Sequence, residues 1–372
     1  MKKIRLGDIA TLITKGTTPT TIGFSFVDTG VNFVKIESIS ENGEFLSDKF
    51  AHITDECDNK LKRSQLEEND ILFSIAGAIG RTAIVPRSIL PANTNQALAI
   101  IRIPQNAINL RFVLYALQSQ AVEEQSEKQK QGVAQLNLSL KNIADILIPL
   151  VSSEKQDEIV RNLAAVDTAI AIRKEQIRLI DQVVKSRFIE LFGNPQRNPH
   201  GYKHTKLSDI ATYYNGLTYK PENVAAEGTI VLRSSNIQNS QLDFADTVRV
   251  DCAIKERLKV QKNDILMCSR NGSAKLVGKV ALIKDIQEPM SFGAFMMIIR
   301  SHYFGYLMTY FQMDAFRQQI KTGATTTINQ ITGRMLDDVT IPLPPMSLVD
   351  QFAAFVEQTD KSKLCGKMGV AA

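Results

Sequence analysis

The hexapeptide LGDIAT at residues 6–11 returns as LSDIAT at 207–212. A repeat at short period would indicate a solenoid. One repeat at half the length of a 372-residue chain indicates a duplicated domain instead. The match continues in order. NFVKIESI (32–39) faces IVLRSSNI (230–237), and ENDILFS (68–74) faces KNDILMC (262–268). GRTAIV (80–85) faces GKVALI (278–283), and ADILIPL (144–150) faces DDVTIPL (337–343). Chance can produce one such pair, but an ordered series requires duplication, with loop insertions accounting for the drift in offset.

Each repeat opens with short alternating or β-branched runs. VNFVKI, NDILFSI, TAIVP and ALAIIRI read as strands separated by Gly, Asn and Pro. A short helix follows, LRFVLYALQSQAVEEQSEK in the first repeat and YFGYLMTYFQMDAFRQQIK in the second. The expected unit is an α+β domain with a closed or strongly bent sheet.

The texture changes between the repeats. Ser153 to Leu191 contains no Gly or Pro. Ile159, Leu163, Val166, Ile170, Ile177, Ile180, Val184 and Leu191 follow alternating steps of four and three, with Arg173 and Arg187 in the two remaining slots. A period of about 3.5 residues is the seam of a coiled coil. Ser152 or Ser153 is the expected N-cap. Gly193 is the expected left-handed C-cap, and Pro195 stops the helix. At 1.5 Å per residue the helix is about 57 Å long, wider than most small cores. The same entry recurs at IPLPPMSLVDQFAAFVEQTDKSK, where Phe352, Val356 and Thr359 begin a similar seam that stops in LCGKMGVAA. The expected boundaries are 1–150 and 195–344 for the two repeats, 151–194 for the central helix, and 345–372 for a shortened C-terminal helix.

Composition permits several roles and excludes few. The chain is 44% hydrophobic and 22% charged, with net charge +5 and pI about 8.9. That balance allows nucleic-acid binding without requiring it. Four scattered cysteines, without a C-x-x-C, read as free thiols of a reducing compartment. No leader-like or membrane-spanning run is present, and a cytoplasmic protein is expected. GSAKLVGKV (272–280) approaches a phosphate loop. Its glycines stand one residue too far apart, however, and Val280 occupies the place of the metal-binding Ser or Thr. His200 and His204 are four apart, but Pro199 and Gly201 argue against a helical metal pair. Neither a nucleophile elbow nor a dinucleotide loop is written. A binding protein with two similar heads on a rigid helix is the expectation: no enzyme, no metal, and a geometry suited to a bipartite target.

Longer stretches carry a resemblance of their own. LGDIATLITKGTTP, NDILFSIAGAIGRTAIV with NTNQALAIIR, GVAQLNLSLKNIADILIPLVSSEKQDEIVRNLAAVDTAI, and GATTTINQITGRMLDDVTIPLPPMSLVDQFAAFV resemble the specificity subunit of type I restriction–modification systems. The resemblance reaches to about Lys363 and implies two target-recognition domains held apart by conserved helices that lie antiparallel. It implies a non-catalytic subunit without a cofactor, which binds double-stranded DNA and directs methylase and restriction (motor) subunits to a bipartite target. Those partners would use S-adenosylmethionine, ATP and Mg. The short C-terminal helix departs from the family pattern and points to self-association through the coil or to cover by a methylase subunit. Two other readings stand beside this one: the specificity subunit of a two-component restriction–methylase, and a coiled-coil adaptor whose heads bind protein.

DNA reading needs cations for phosphates and polar side chains for base edges. In the first repeat the candidates are Lys15, Thr17, Thr18, Lys35, Ser38, Arg81, Thr94, Asn95 and Gln96. In the second they are Tyr219, Lys220, Arg233, Ser235, Asn236, Arg270, Asn271, Ser273 and Lys275. Asn95 and Gln96 could equally cap the turn before ALAII. Arg270 and Lys275, flanking Gly272, are the strongest individual candidates.

Overall fold

The computed structural model describes residues 2–104, 108–129, 137–321 and 330–368. Parts of two family-like stretches, at 132–136 and 323–329, and the last residues of the chain lie outside these. The chain divides into two compact units, Met1–Ala169 and Ile170–Ala372.

The first head closes on itself through its two ends: Lys3–Arg5 pairs antiparallel with Leu147–Pro149. Between them a four-stranded antiparallel sheet runs in the order Leu12–Lys15, Leu98–Arg102, Ile71–Ser74, Thr82–Ile84. A second sheet holds Ala51–Ile53, Val31–Val34 and Ala92–Thr94, the last pair parallel. The strands therefore divide between two sheets rather than bending one into closure. The reason is visible in the pleat. Ile71, Phe73, Ala99 and Ile101 face a core shared with the helical residues Phe112, Val113 and Leu117. Leu72, Leu98 and Ile100 face Val34, Leu66 and Val85 on the other side. A strand covered on both faces reads as a continuous apolar run, as ILFS does.

The second head repeats this plan. His204–Lys206 pairs with Thr340–Pro342. Thr212–Asn215, Met296–Arg300, Ile265–Cys268 and Val280–Leu282 form the four-stranded sheet. Thr229–Leu232 and Met290–Phe292 reproduce the parallel pair. In both heads the expected single helix is two: Leu110–Leu117 with Gln120–Gln129, and Phe304–Tyr310 with Asp314–Lys321. In the first head the chain turns at Ser119, whose N–H donates back to the Ala116 carbonyl while its own carbonyl accepts from Val122 and Glu123. The apolar pattern continues across this turn, so periodicity alone did not mark it.

The NDIL phrase is a turn with a purpose. Asn69 and Asn263 both adopt left-handed φ, 72° and 70°, a conformation that Asn tolerates. The next residue is a buried aspartate. Asp70 accepts from the Glu67 N–H at 2.7 Å and from Arg102 Nε and Nη2 at 2.7 and 2.8 Å. Asp264 accepts from Gln261 N–H and from Arg300 at the same three distances. The carboxylate side chains are 0% and 1% exposed. Such two-pronged charge-assisted pairs are strong and geometrically demanding.

The central helix spans Ser153–Phe192. Ser152 Oγ accepts from Lys155 N–H at its start, and Gly193 ends it with φ 72°. Ile159 and Val160 lie on the core of the first head. The buried Gln156 accepts from Asn109 N–H at 3.0 Å. Tyr115 donates to Asp167 at 2.6 Å; burial first, then that carboxylate, pushes its hydroxyl up to about 12. At the other end Val184 and Leu191 lie on the core of the second head. Ile170, Ile177 and Ile180 are half-buried, while Leu163 and Val166 are exposed. The deepest contacts come from residues outside the heptad series. Phe188 and Phe192 are buried against Tyr306 and Phe352, with ring centroids 4.9–5.6 Å apart. The C-terminal helix, Met346–Met368, runs antiparallel to the central one. Phe352 meets Phe188, Phe355 meets Arg187, and Lys363 pairs with Asp181.

Asp70→Ala is expected to lower the unfolding free energy of the first unit by about 3 kcal/mol, and Asp264→Ala that of the second. This is the lower end of the cost of breaking a buried pair, because each arginine keeps 26% of its side chain in water. Urea unfolding of each variant against the parent checks it. A change below about 0.5 kcal/mol, the usual size for a surface substitution, would show the pairs to be dispensable.

Candidate nucleic-acid interface

In the first head four loops converge beyond the strand ends. Gly16 passes so close to the Ala92–Thr94 strand that a Cβ there would lie 1.8 Å from the Thr94 carbonyl oxygen. This contact, not a positive φ, is what requires glycine. It brings Thr18 to Gln96, whose Oε1 accepts from the hydroxyl. The Arg81 guanidinium donates to the carbonyls of Ile36 and Ile39, at 3.2 and 2.7 Å, tying the 75–81 loop to the turn at 35–39. Lys15 and Gln96 are exposed, and Thr17 is half-buried. The Lys35 ammonium lies 4.4 Å from the Phe26 ring centroid. Asn95 Oδ1 accepts from Ala97 N–H, forming the turn that leads into the next strand.

The second head assembles the same four loops. Gly216 approaches Gly293, its Cβ position 2.1 Å from that carbonyl oxygen. Asn271 donates to Ser234 at 3.3 Å, joining the 269–279 loop to the turn at 233–236. Arg233 pairs with Asp246 at 2.6 Å, and Lys220 with Glu222 at 3.4 Å. Arg270, Ser273, Lys275 and Lys220 are exposed, while Tyr219 and Ser235 are half-buried. Beneath this loop Cys268 is buried, and desolvation pushes its thiol up.

Three candidates lie inside the fold. Ser38 is 0% exposed, accepts from Lys35 N–H and donates to the Lys49 carbonyl. Asn236, its counterpart, is also 0% exposed; it accepts from Arg233 N–H and donates to the carbonyls of Asp243 and Asp246. Thr94 is 0% exposed and donates to the Val34 carbonyl. Their polar atoms shape the loops. Among the described residues no group of three or more His, Cys, Asp or Glu gathers as a metal site. No helix among them is long and apolar enough to cross a membrane.

Two copies of one domain, each ending in convergent polar loops, match a known family model. The type I restriction modification DNA specificity domain aligns to residues 1–182 and again to 199–364. The chain belongs to that family. Among curated relatives, the specificity subunit of the type I restriction enzyme EcoKI from Escherichia coli K12 is 29% identical over 178 residues, covering 44% of this chain and 38% of that one. The EcoBI specificity subunit of Escherichia coli is 35% identical over 136 residues, covering 36% and 28%. The matched stretches thus span well under two thirds of those relatives. A type I S subunit from M. genitalium shares the fold, with TM-score 0.51 at 13% identity, covering all of this chain and 92% of that one. So does a chain of a type I restriction–modification system solved for its complex assembly and conformational transition, with TM-score 0.50 at 17% identity, and the same coverage.

Within this specificity-domain family frame, the two heads differ where their loops converge. The loop between Ile265–Cys268 and Val280–Leu282 is four residues longer than the one between Ile71–Ser74 and Thr82–Ile84. The extra length holds the stretch around Arg270 to Lys275. Sequence reasoning missed Phe295, which is 58% exposed beside Arg270. The available signal was the alignment of NQA (95–97) with GAF (293–295) between matched strands. An aromatic residue there reads as core until its exposure is known.

Gly16→Ala and Gly216→Ala are expected to destabilise their heads by about 1–3 kcal/mol, the usual cost of forcing extra volume into a closed contact. Thermal unfolding checks this. Gly23→Ala, where a Cβ would meet nothing within 4 Å, separates the two causes. Its left-handed φ of 85° carries strain but no clash, so it should cost less.

Proposed function

We propose that this chain is the DNA-reading specificity subunit of a type I restriction–modification complex, each head reading one half of a bipartite double-stranded target. The observation that carries the proposal is the duplication itself. Two heads share the strand order and register of their four-stranded antiparallel sheet and the buried ion pair at its edge, yet present different side chains on the four convergent loops. A shared scaffold with divergent loops is what a reader of two unlike half-sites requires. The exposed cations Lys15, Lys220, Arg270 and Lys275 are the phosphate and base contacts, supported from below by Ser38, Thr94 and Asn236. Arg81 and Arg233 orient the turns.

On this reading the chain carries no catalytic group or cofactor of its own and works in the cytoplasm. Methylase subunits would supply S-adenosylmethionine chemistry, and restriction subunits ATP- and Mg-dependent cleavage. The half-covered stretch of the central helix around Ile170, Ile177 and Ile180 is the surface offered to a methylase subunit or to a second copy.

Two measurements test the proposal. Fluorescence anisotropy on duplex DNA at increasing salt should show affinity falling steeply, and Lys275→Ala should reduce the log–log slope by about one. Salt-independent binding, or none, would favour a protein-binding adaptor. Exchanging residues 1–150 for the matching head of a relative should change one half of the methylated motif in the host genome and leave the other half intact. A simultaneous change of both halves would defeat the two-reader arrangement.

A further inference from the structure

The strands flanking one loop allow the two heads to be compared residue by residue. In the first head residues 95–97 connect Ala92–Thr94 to Leu98–Arg102. In the second, 293–295 connect Met290–Phe292 to Met296–Arg300. The loops have equal length, so Asn95, Gln96 and Ala97 correspond to Gly293, Ala294 and Phe295. The first head offers amides at this place. The second offers an aromatic ring without a hydrogen-bonding atom.

That ring is neither core nor loosely held. At 58% it is more exposed than any other large apolar side chain among the described residues. Its backbone is fixed: the Phe295 carbonyl accepts from the N–H groups of Ser269 and Arg270 at 2.9 and 3.0 Å, and from the Ser269 hydroxyl at 3.0 Å. The Arg270 guanidinium lies over the ring, 5.4 Å from its centroid. Among the described residues no carboxylate stands within ion-pair distance of Arg270. A guanidinium stacked on an aromatic face is pre-oriented, with its donors still free at the edge.

The major groove offers few partners to such a pair. Its one apolar group is the 5-methyl of thymine, and arginine makes its best base contact to guanine O6 and N7. Resting on the reading of this chain as a DNA-sequence reader, we propose that Phe295 and Arg270 form the base-reading element of the second head: the ring contacts a thymine methyl and the guanidinium hydrogen-bonds a neighbouring guanine. The first head, with Gln96 at the matching loop, reads by amide hydrogen bonds instead, the chemistry suited to adenine N6 and N7. The heads thus specify different bases with one scaffold.

The test uses the full chain co-purified with its methylase subunit. Selection from a random duplex pool defines the motif for the parent, and anisotropy then measures duplexes in which each thymine of the second half-site is replaced by deoxyuridine. One such replacement should weaken the parent about four-fold, the value of one buried methyl group. Phe295→Ala should bind the thymine duplex at least as weakly as the parent binds the deoxyuridine one, be indifferent to that replacement, and keep the parent's motif for the first head. Arg270→Ala should relax the preference for guanine at the adjacent position. A parent that enriches no motif overturns the DNA reading and this assignment together. An enriched motif overturns this assignment alone in either of two cases: Phe295→Ala discriminates as the parent does, or no deoxyuridine replacement matters while Phe295→Ala still weakens binding, the mark of a ring wedged between bases.

Discussion

Each head is held shut by one short ladder, its first strand against its last: Lys3–Arg5 on Leu147–Pro149, and His204–Lys206 on Thr340–Pro342. Three residues of pairing contribute little stability alone. Their effect is geometric. They place the entry and exit of each head side by side, so the chain leaves at the point where it came in. In both repeats a helix starts within a few residues of the closing strand, Ser153 after Pro149 and Met346 after Pro342. A unit closed in this way can be copied along a chain without disturbing the copy before it.

Within each head the two ends of the same strands carry opposite duties. At one end, the turn at Asn69 or Asn263 seats a buried aspartate against the arginine that closes the neighbouring strand. The aspartate's bonds to its arginine are the same in both repeats, down to the distances. At the other end, glycine lets two loops touch in each head, and there the repeats part company in length, charge and apolarity. Rigidity at one end permits variation at the other, because a loop anchored on fixed strands changes its side chains without changing its place.

Much of this was legible in the sequence, for identifiable reasons. The duplication, the principal strands and the central helix each rest on local periodicity. Gly193 and Ser152 act at the helix ends where expected. Ser38, Thr94 and Asn236 were not legible as interior residues. A small polar side chain in a Gly/Asn-rich loop has the same local pattern whether it faces solvent or a buried carbonyl. Phe295 was hidden for the converse reason, since an aromatic residue beside MMII has the pattern of a core residue. The seam was legible only in part. A 3.5-residue repeat marked Val184 and Leu191, but Phe188 and Phe192 make the deepest contacts, because the C-terminal helix and Tyr306 meet the central helix on that side.

Apolar spacing along the chain settled which segments become the principal strands and the central helix, and repetition settled that there are two heads. These are properties of neighbours in sequence, set by backbone geometry with periods of two or about 3.6 residues. Only the tertiary structure decided that the strands divide into two sheets, that Asp70 finds Arg102 and Asp264 finds Arg300, and that four loops distant in sequence share one end of each head. Those outcomes depend on contacts between residues tens of positions apart. Their free energy arises only when both partners are buried together, and no local pattern encodes that.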